Sequence, residues 1–236
     1  MERIYQHPAA GSAASQFDAG LRRHMLGIYR YMGIGLLITA AVSMGVASSP
    51  ALVAAIFGTP LKWVAMLAPL AFVFFFSFRI DRMTTASART AFFAFSAVMG
   101  VSMASIFLVF TGTSIASTFL IAAIMFGGVS LWGYTTNRDL SRWSTFLVMG
   151  LIGVIAVSLV NIFLGSTILQ TAISVIGVGV FIGLTAWDTQ RAKSEYLSFA
   201  GTEQAEKLAV MSALGLYLNL INIFQLLLSL TGERDG

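Results

Sequence analysis

Seven apolar runs, each close to the length that crosses a bilayer, dominate the chain and leave it few folds to choose from. A helix needs about 20 consecutive apolar residues to span the hydrocarbon. The runs cover residues 25–47, 61–78, 91–110, 115–134, 145–164, 168–187 and 208–230. The second contains Pro69, and a further apolar stretch, 51–57, either lies in the interface or extends it. Inside a bilayer every backbone N–H and C=O must find an internal partner, so spans of this kind are helices. Composition agrees. Only 10% of residues are charged and 57% are hydrophobic, whereas a soluble domain carries about 25% charge. The fold expected is an all-α membrane protein, a bundle of seven transmembrane helices covering 25–230. It is preceded by a polar arm, 1–24, and followed by a short tail, 231–236.

Basic residues orient the bundle. Cytoplasmic loops carry the excess of Lys and Arg. With the N-terminus in the cytoplasm, twelve of the 14 basic residues fall on the inner side, and only Lys62 and Arg234 fall outside. The N-terminus is therefore placed inside and the C-terminus outside. No signal peptide is expected ahead of the first run, since the first 24 residues are mixed polar. Dispersed basic residues argue against nucleic-acid binding, and the partners expected are the lipid bilayer and cations. Small residues spaced four apart, Ser96/Gly100/Ala104, Ala123/Gly127 and Gly179/Gly183, let helix backbones approach closely. They serve as seams within one bundle or as a dimer face.

Several chemistries are argued against by what the spans lack. The chain has no cysteine, and its two histidines, His7 and His24, sit in the arm or at its edge. No lysine lies in the last run, and no zinc motif, phosphate-binding glycine loop or catalytic acid pair is visible. An enzyme is not expected, nor is a bound cofactor. What remains are polar groups inside or at the ends of spans, which are costly there and mark functional sites. They are Asp188, Asn161, Asn219, Asn222 and Gln225, with Arg79 at a cytoplasmic helix end.

Asp188 ends an uncharged run in "GLTAWDTQRAKSEY". Two readings fit that position. Asp188 is a boundary residue reaching water, or its helix continues and the acid turns inward. The sixth and seventh runs form an antiparallel hairpin, and residues equidistant from its turn lie level. Gly201-Thr202, a helix stop followed by an N-cap, falls close to the midpoint of 188 and 219. Asn219 lies eleven residues after Leu208, or roughly 16 Å into the span. Asp188 and Asn219 can therefore meet if both helices run on past the membrane face.

The stretches "FGGVSLWGYTTNRDLSRWSTFLVMGLIGVIAVSLVNIFL" (126–164), "ISVIGVGVFIGLTAWDTQ" (173–190) and "ALGLYLNLINIFQLLLSL" (213–230) carry a resemblance. The chain resembles the bacterial branch of the transmembrane Bax inhibitor motif family, over most of its length after Met83. The resemblance implies a central seventh helix surrounded by the other six, and a calcium leak gated by pH. It implies two aspartates, on spans six and seven, that share a proton and latch the cytoplasmic side of a pore. It also implies an arginine at the end of span two that engages them. Asp188 matches the first aspartate, and Arg79 matches the arginine, with Arg82 the other candidate.

The chain departs from that pattern at one position. Where the second aspartate is expected, it has Asn219. Two close carboxylates cannot both ionise easily, so they share a proton. An asparagine removes that repulsion and can donate its N–H to an ionised Asp188. Less pH sensitivity near neutrality is expected, together with weak calcium binding at Asp188, because calcium prefers anionic oxygen. The resemblance equally allows a non-conducting protein that binds other membrane proteins, through the arm, and modulates stress responses or membrane proteolysis. A transporter ranks last, since no inverted repeat or matched pair of broken spans is visible.

Overall fold

The computed structural model describes residues 10–235, apart from the side chains of 10–18 and of Asp81. Its helices are α1 (Ala10–Ala47), α2 (Pro50–Phe57), α3 (Leu61–Arg79), α4 (Thr85–Met103), α5 (Gly112–Thr135), α6 (Ser141–Leu164), α7 (Thr167–Phe199) and α8 (Glu203–Thr231). Seven of them, all but α2, are long and apolar enough to cross a membrane.

The helices outrun the apolar stretches because polar caps set their ends. Thr84 accepts from the Ser87 amide and starts α4 six residues before the third apolar run. Thr202 accepts from the Ala205 amide and starts α8, with Glu203 and Glu206 in its first turn. Acidic residues there face the positive end of the helix dipole. Gly201 supplies the turn, with φ of 80°. α7 runs twelve residues beyond Trp187 to Phe199. α1 begins at Ala10, so residues 10–24 of the arm form one helix with the first span; His7 lies outside the described residues.

Stretch 51–57 is neither part of α3 nor an extension of it. Ser49 caps α2, Pro50 opens it, and Gly58 and Pro60 separate it from α3. α2 buries none of its residues, which suits a short apolar helix in the interface. The tail is pinned on the outer side. The Thr111 amide donates to Glu233 O and the Asp235 amide to Val109 O, each at 3.0 Å.

α8 lies at the centre, with more than half of its membrane window buried, while α6 is almost wholly exposed. α8 packs mainly against α7, α1, α5 and α4. α3 leans on α4, and α6 on α7, so four helices rather than six form the main wall around α8. Tyr217 of α8 is fully buried. Phe92 and Phe95 of α4 meet its ring edge-on, at 5.7 and 5.8 Å between centroids. Its hydroxyl pairs with Thr39 Oγ1 at 2.6 Å. The Ser96/Gly100/Ala104 seam is used. A methyl group on Gly100 would lie 2.8 Å from the Thr39 carbonyl oxygen, so the backbones of α1 and α4 approach closely there. At Gly127 and Gly179 a methyl group would meet nothing within 4 Å, so these positions form no close internal seam.

The Thr39–Tyr217 hydroxyl pair yields a measurable expectation. Interhelical hydrogen bonds in membrane bundles contribute about 1 kcal/mol each. Tyr217→Phe keeps the aromatic contacts and deletes only the hydroxyl. Thermal unfolding in detergent should show a loss of about 1 kcal/mol, and Tyr217→Ala a larger loss because a ring-sized cavity opens.

Candidate functional site

Because α7 and α8 both continue past their apolar runs, Asp188 is drawn off the membrane boundary and into the hairpin. Asn219 Nδ2 donates to Asp188 Oδ2 at 2.7 Å. The direction follows from chemistry: an ionised carboxylate only accepts, and the carboxamide supplies the N–H. Asn219 is 5% exposed. Gly215, one turn earlier on α8, faces the same oxygen, and a methyl group there would sit 3.7 Å from it.

The other face of α7 is held separately. Thr189 Oγ1 donates to the Thr185 carbonyl at 2.8 Å and pairs with Ser130 Oγ of α5 at 2.9 Å. Ser130 in turn pairs with the Tyr29 hydroxyl of α1 at 2.6 Å. Below this, Gln190 ties the α5–α6 loop to α7. It accepts from the Leu140 amide and donates to the Arg138 carbonyl, both at 2.8 Å. Lys193 Nζ donates to the Tyr134 carbonyl at 3.1 Å.

Asp188 also lines a cavity of about 100 Å³ with Arg191, Glu195, Leu208, Met211, Ser212 and Gly215. Arg191 Nε donates to Glu195 Oε1 at 2.7 Å. Ser212 Oγ donates to Glu195 Oε2 at 3.2 Å. The arginine that shares a chamber with Asp188 is thus Arg191. Arg79 and Arg82 are exposed, at the end of α3 and in the turn after it, and neither makes a hydrogen bond or ion pair with another described residue. Arg191 and Glu195 escaped the sequence reading, although the signal was present. Positions 188, 191 and 195 are three and four apart and share one helix face.

The remaining candidates scatter. Asn222 Nδ2 donates to the Leu218 carbonyl of its own helix at 2.8 Å. Asn161 serves the outer α6–α7 turn, accepting from the Ser166 amide at 3.0 Å and donating to Gln170 Oε1 at 3.3 Å. The Gln225 side chain makes no hydrogen bond with another described residue. The His24 ring lies 4.9 Å from that of Tyr196. Among the described residues no group of three His, Asp or Glu side chains stands close enough to hold a metal. A resident calcium takes six to eight oxygens, far more than Asp188 and Asn219 offer.

Residues 21–236 match the family described as Inhibitor of apoptosis-promoting Bax1. The chain belongs to the Bax inhibitor family. Its relatives within bacteria match over nearly their whole length. A protein of Rickettsia prowazekii is 43% identical over 218 residues, covering 92% of each chain. Inner membrane protein YbhL of Escherichia coli is 42% identical over 219 residues, covering 92% of this chain and 94% of its own. A Caulobacter vibrioides protein is 40% identical over 233 residues. In this member of the Bax inhibitor family, the position opposite Asp188 is filled by a neutral donor.

Two expectations follow. Asn219→Leu strands a buried carboxylate without its donor, and should destabilise the protein by about 1–3 kcal/mol in thermal unfolding. The double variant Asp188→Leu/Asn219→Leu should be more stable than Asn219→Leu alone, because both polar partners leave together. Separately, Gln190→Ala frees the α5–α6 loop, and trypsin cleavage after Arg138 should speed up several-fold.

Proposed function

We propose that the chain is a cation-leak channel of the bacterial inner membrane, with calcium as its permeant ion, and that it catalyses no chemical step. The observation that carries this is the 2.7 Å bond from Asn219 to Asp188 between α7 and the central α8. An intramembrane acid beside a small chamber at the cytoplasmic end is the kind of group that ion pathways use. Glu195 adds a second carboxylate along the same chamber. The inner membrane is supported by the relative YbhL, named as an inner membrane protein.

In this reading Asp188 and Asn219 form the latch. Opening requires α8 to part from α7 and break that bond. The bond needs no shared proton, so protonation is not what holds it, and pH acts on it less than on a pair of acids. Arg191 takes the place of the arginine that would engage the latch. It sits three residues from Asp188 in the same chamber and is held back by Glu195.

A second reading is favoured by the same bond. A latch that closes without a proton can remain shut at every physiological pH. A bundle of that kind would act by binding other membrane proteins, in stress responses or membrane proteolysis.

Calcium flux into liposomes containing the purified protein separates the two, measured from mildly acid to mildly alkaline pH. The channel reading expects Asn219→Asp to create a flux that depends on pH, and Asp188→Asn added to that variant to abolish the dependence. Flux that is unchanged by every substitution at Asp188 rejects the latch. No flux in any variant rejects the channel and leaves the binding protein.

A further inference from the structure

A cavity of about 470 Å³ lies between α1 and α5, away from the Asp188 chamber. Its charge and polarity are graded from end to end. Arg22 stands at the mouth, three residues ahead of the first apolar run, and its guanidinium makes no hydrogen bond or ion pair with another described side chain. Met25 and Phe126 give the groove apolar walls. Gly127 leaves a dent in it, since a methyl group there would meet nothing within 4 Å. Leu26 and Leu131 on its lining are 58% and 63% exposed. Both lie on spans, so that exposure is to hydrocarbon and the groove opens sideways into the bilayer. On its inner side are the Tyr29 and Ser130 hydroxyls, bonded to each other at 2.6 Å.

The groove's length matches one leaflet. Its α1 lining runs from Arg22 to Met32, a rise of roughly 15 Å, which is half of a hydrocarbon core about 30 Å thick. The mouth faces the cytoplasm, where the N-terminus lies. A guanidinium at headgroup depth is a geometric match for phosphate. Apolar walls over the next three turns match an acyl chain.

We propose that this groove seats an anionic phospholipid of the inner leaflet, its phosphate on Arg22 and one acyl chain along Met25, Gly127 and Phe126. The site is independent of whether the bundle conducts. Its inner side is joined to α7 through the Ser130–Thr189 bond, one residue from Asp188.

The test is native mass spectrometry of the purified full chain with phosphatidylglycerol or phosphatidylcholine carrying the same acyl chains. Wild type should retain phosphatidylglycerol about tenfold more tightly. Arg22→Gln should remove that preference, while Arg23→Gln, outside the groove lining, should keep it. Gly127→Leu fills the dent and should lose both lipids. Gly153→Leu, on α6 where a methyl group also meets open space, should lose neither. Thermal unfolding of each variant, unchanged from wild type, shows that the bundle is intact. If Gly127→Leu proves unstable, the Arg22→Gln and Arg23→Gln pair decides. Equal retention of the two lipids by wild type overturns the proposal. So does phosphatidylglycerol retention that a folded Gly127→Leu leaves untouched, since Arg22 would then act only as surface charge. A wild-type dimer that Gly127→Leu splits overturns it as well, because a second copy would then occupy the groove.

Discussion

A carboxylate placed among apolar helices must find a donor, and at Asp188 the donor is the carboxamide of Asn219. Much of the bundle's arrangement follows from that need. For the two groups to meet, α7 and α8 must lie side by side, and both must extend beyond the membrane face toward the turn at Gly201. For α8 to bring Asn219 to that level, it must lie in the interior, where that contact is shielded. The Tyr217 hydroxyl, half a turn away on α8, meets the same requirement by pairing with Thr39 on α1. α8 is therefore fixed on two sides by polar pairs and on a third by Phe92 and Phe95.

The opposite side of α7 has its own fastening. Thr189, next to Asp188 in the chain, engages Ser130 and through it Tyr29. Gln190 and Lys193 then hold the cytoplasmic end of α5 and the loop that follows. Four residues within two turns of α7 thus couple the Asp188 level to α8, α5, α1 and the α5–α6 loop. A helix held at so many points does not move alone. Parting α8 from α7 breaks the Asn219–Asp188 and Ser212–Glu195 bonds, whereas displacing α7 breaks these and the whole set on its other side. If the bundle opens, α8 is the element whose shift costs less at this level.

The span count was legible because hydrocarbon leaves no other solution for runs of that length. The Asp188–Asn219 contact was legible because a hairpin turns sequence distance into depth, and Gly201-Thr202 marked the turn. Helix ends were less so. Thr84 and Thr202 start α4 and α8 well before hydrophobicity rises, and capping is a matter of one hydroxyl rather than of a window average. The number of helices around α8 was also out of reach. α3 and α6 are as apolar as the rest, and apolarity in a membrane does not tell a lipid-facing wall from a buried one. Arg79 drew attention because it ends a span, yet Arg191 is the guanidinium in the chamber. Helical spacing from Asp188 is what places Arg191 there, being a distance in space.

The neutral partner changes what the chamber can respond to. Where two acids face each other, a proton is the glue, and its loss pushes the helices apart. Here the glue is the carboxamide, and the charges that vary are further along α7. Glu195 draws Arg191 away from Asp188 through a 2.7 Å bond, with Ser212 of α8 bonded to the other carboxylate oxygen. A cation that takes Glu195 would release Arg191 three residues from Asp188. The guanidinium could then compete with Asn219 for Asp188, and a charged donor outbids a neutral one. The pull on α8 would come from two directions at once, as Ser212 lost its acceptor and Asn219 its carboxylate. In such an arrangement Glu195, which the cation would take, and Asp188 are separate residues on one helix face, two turns apart.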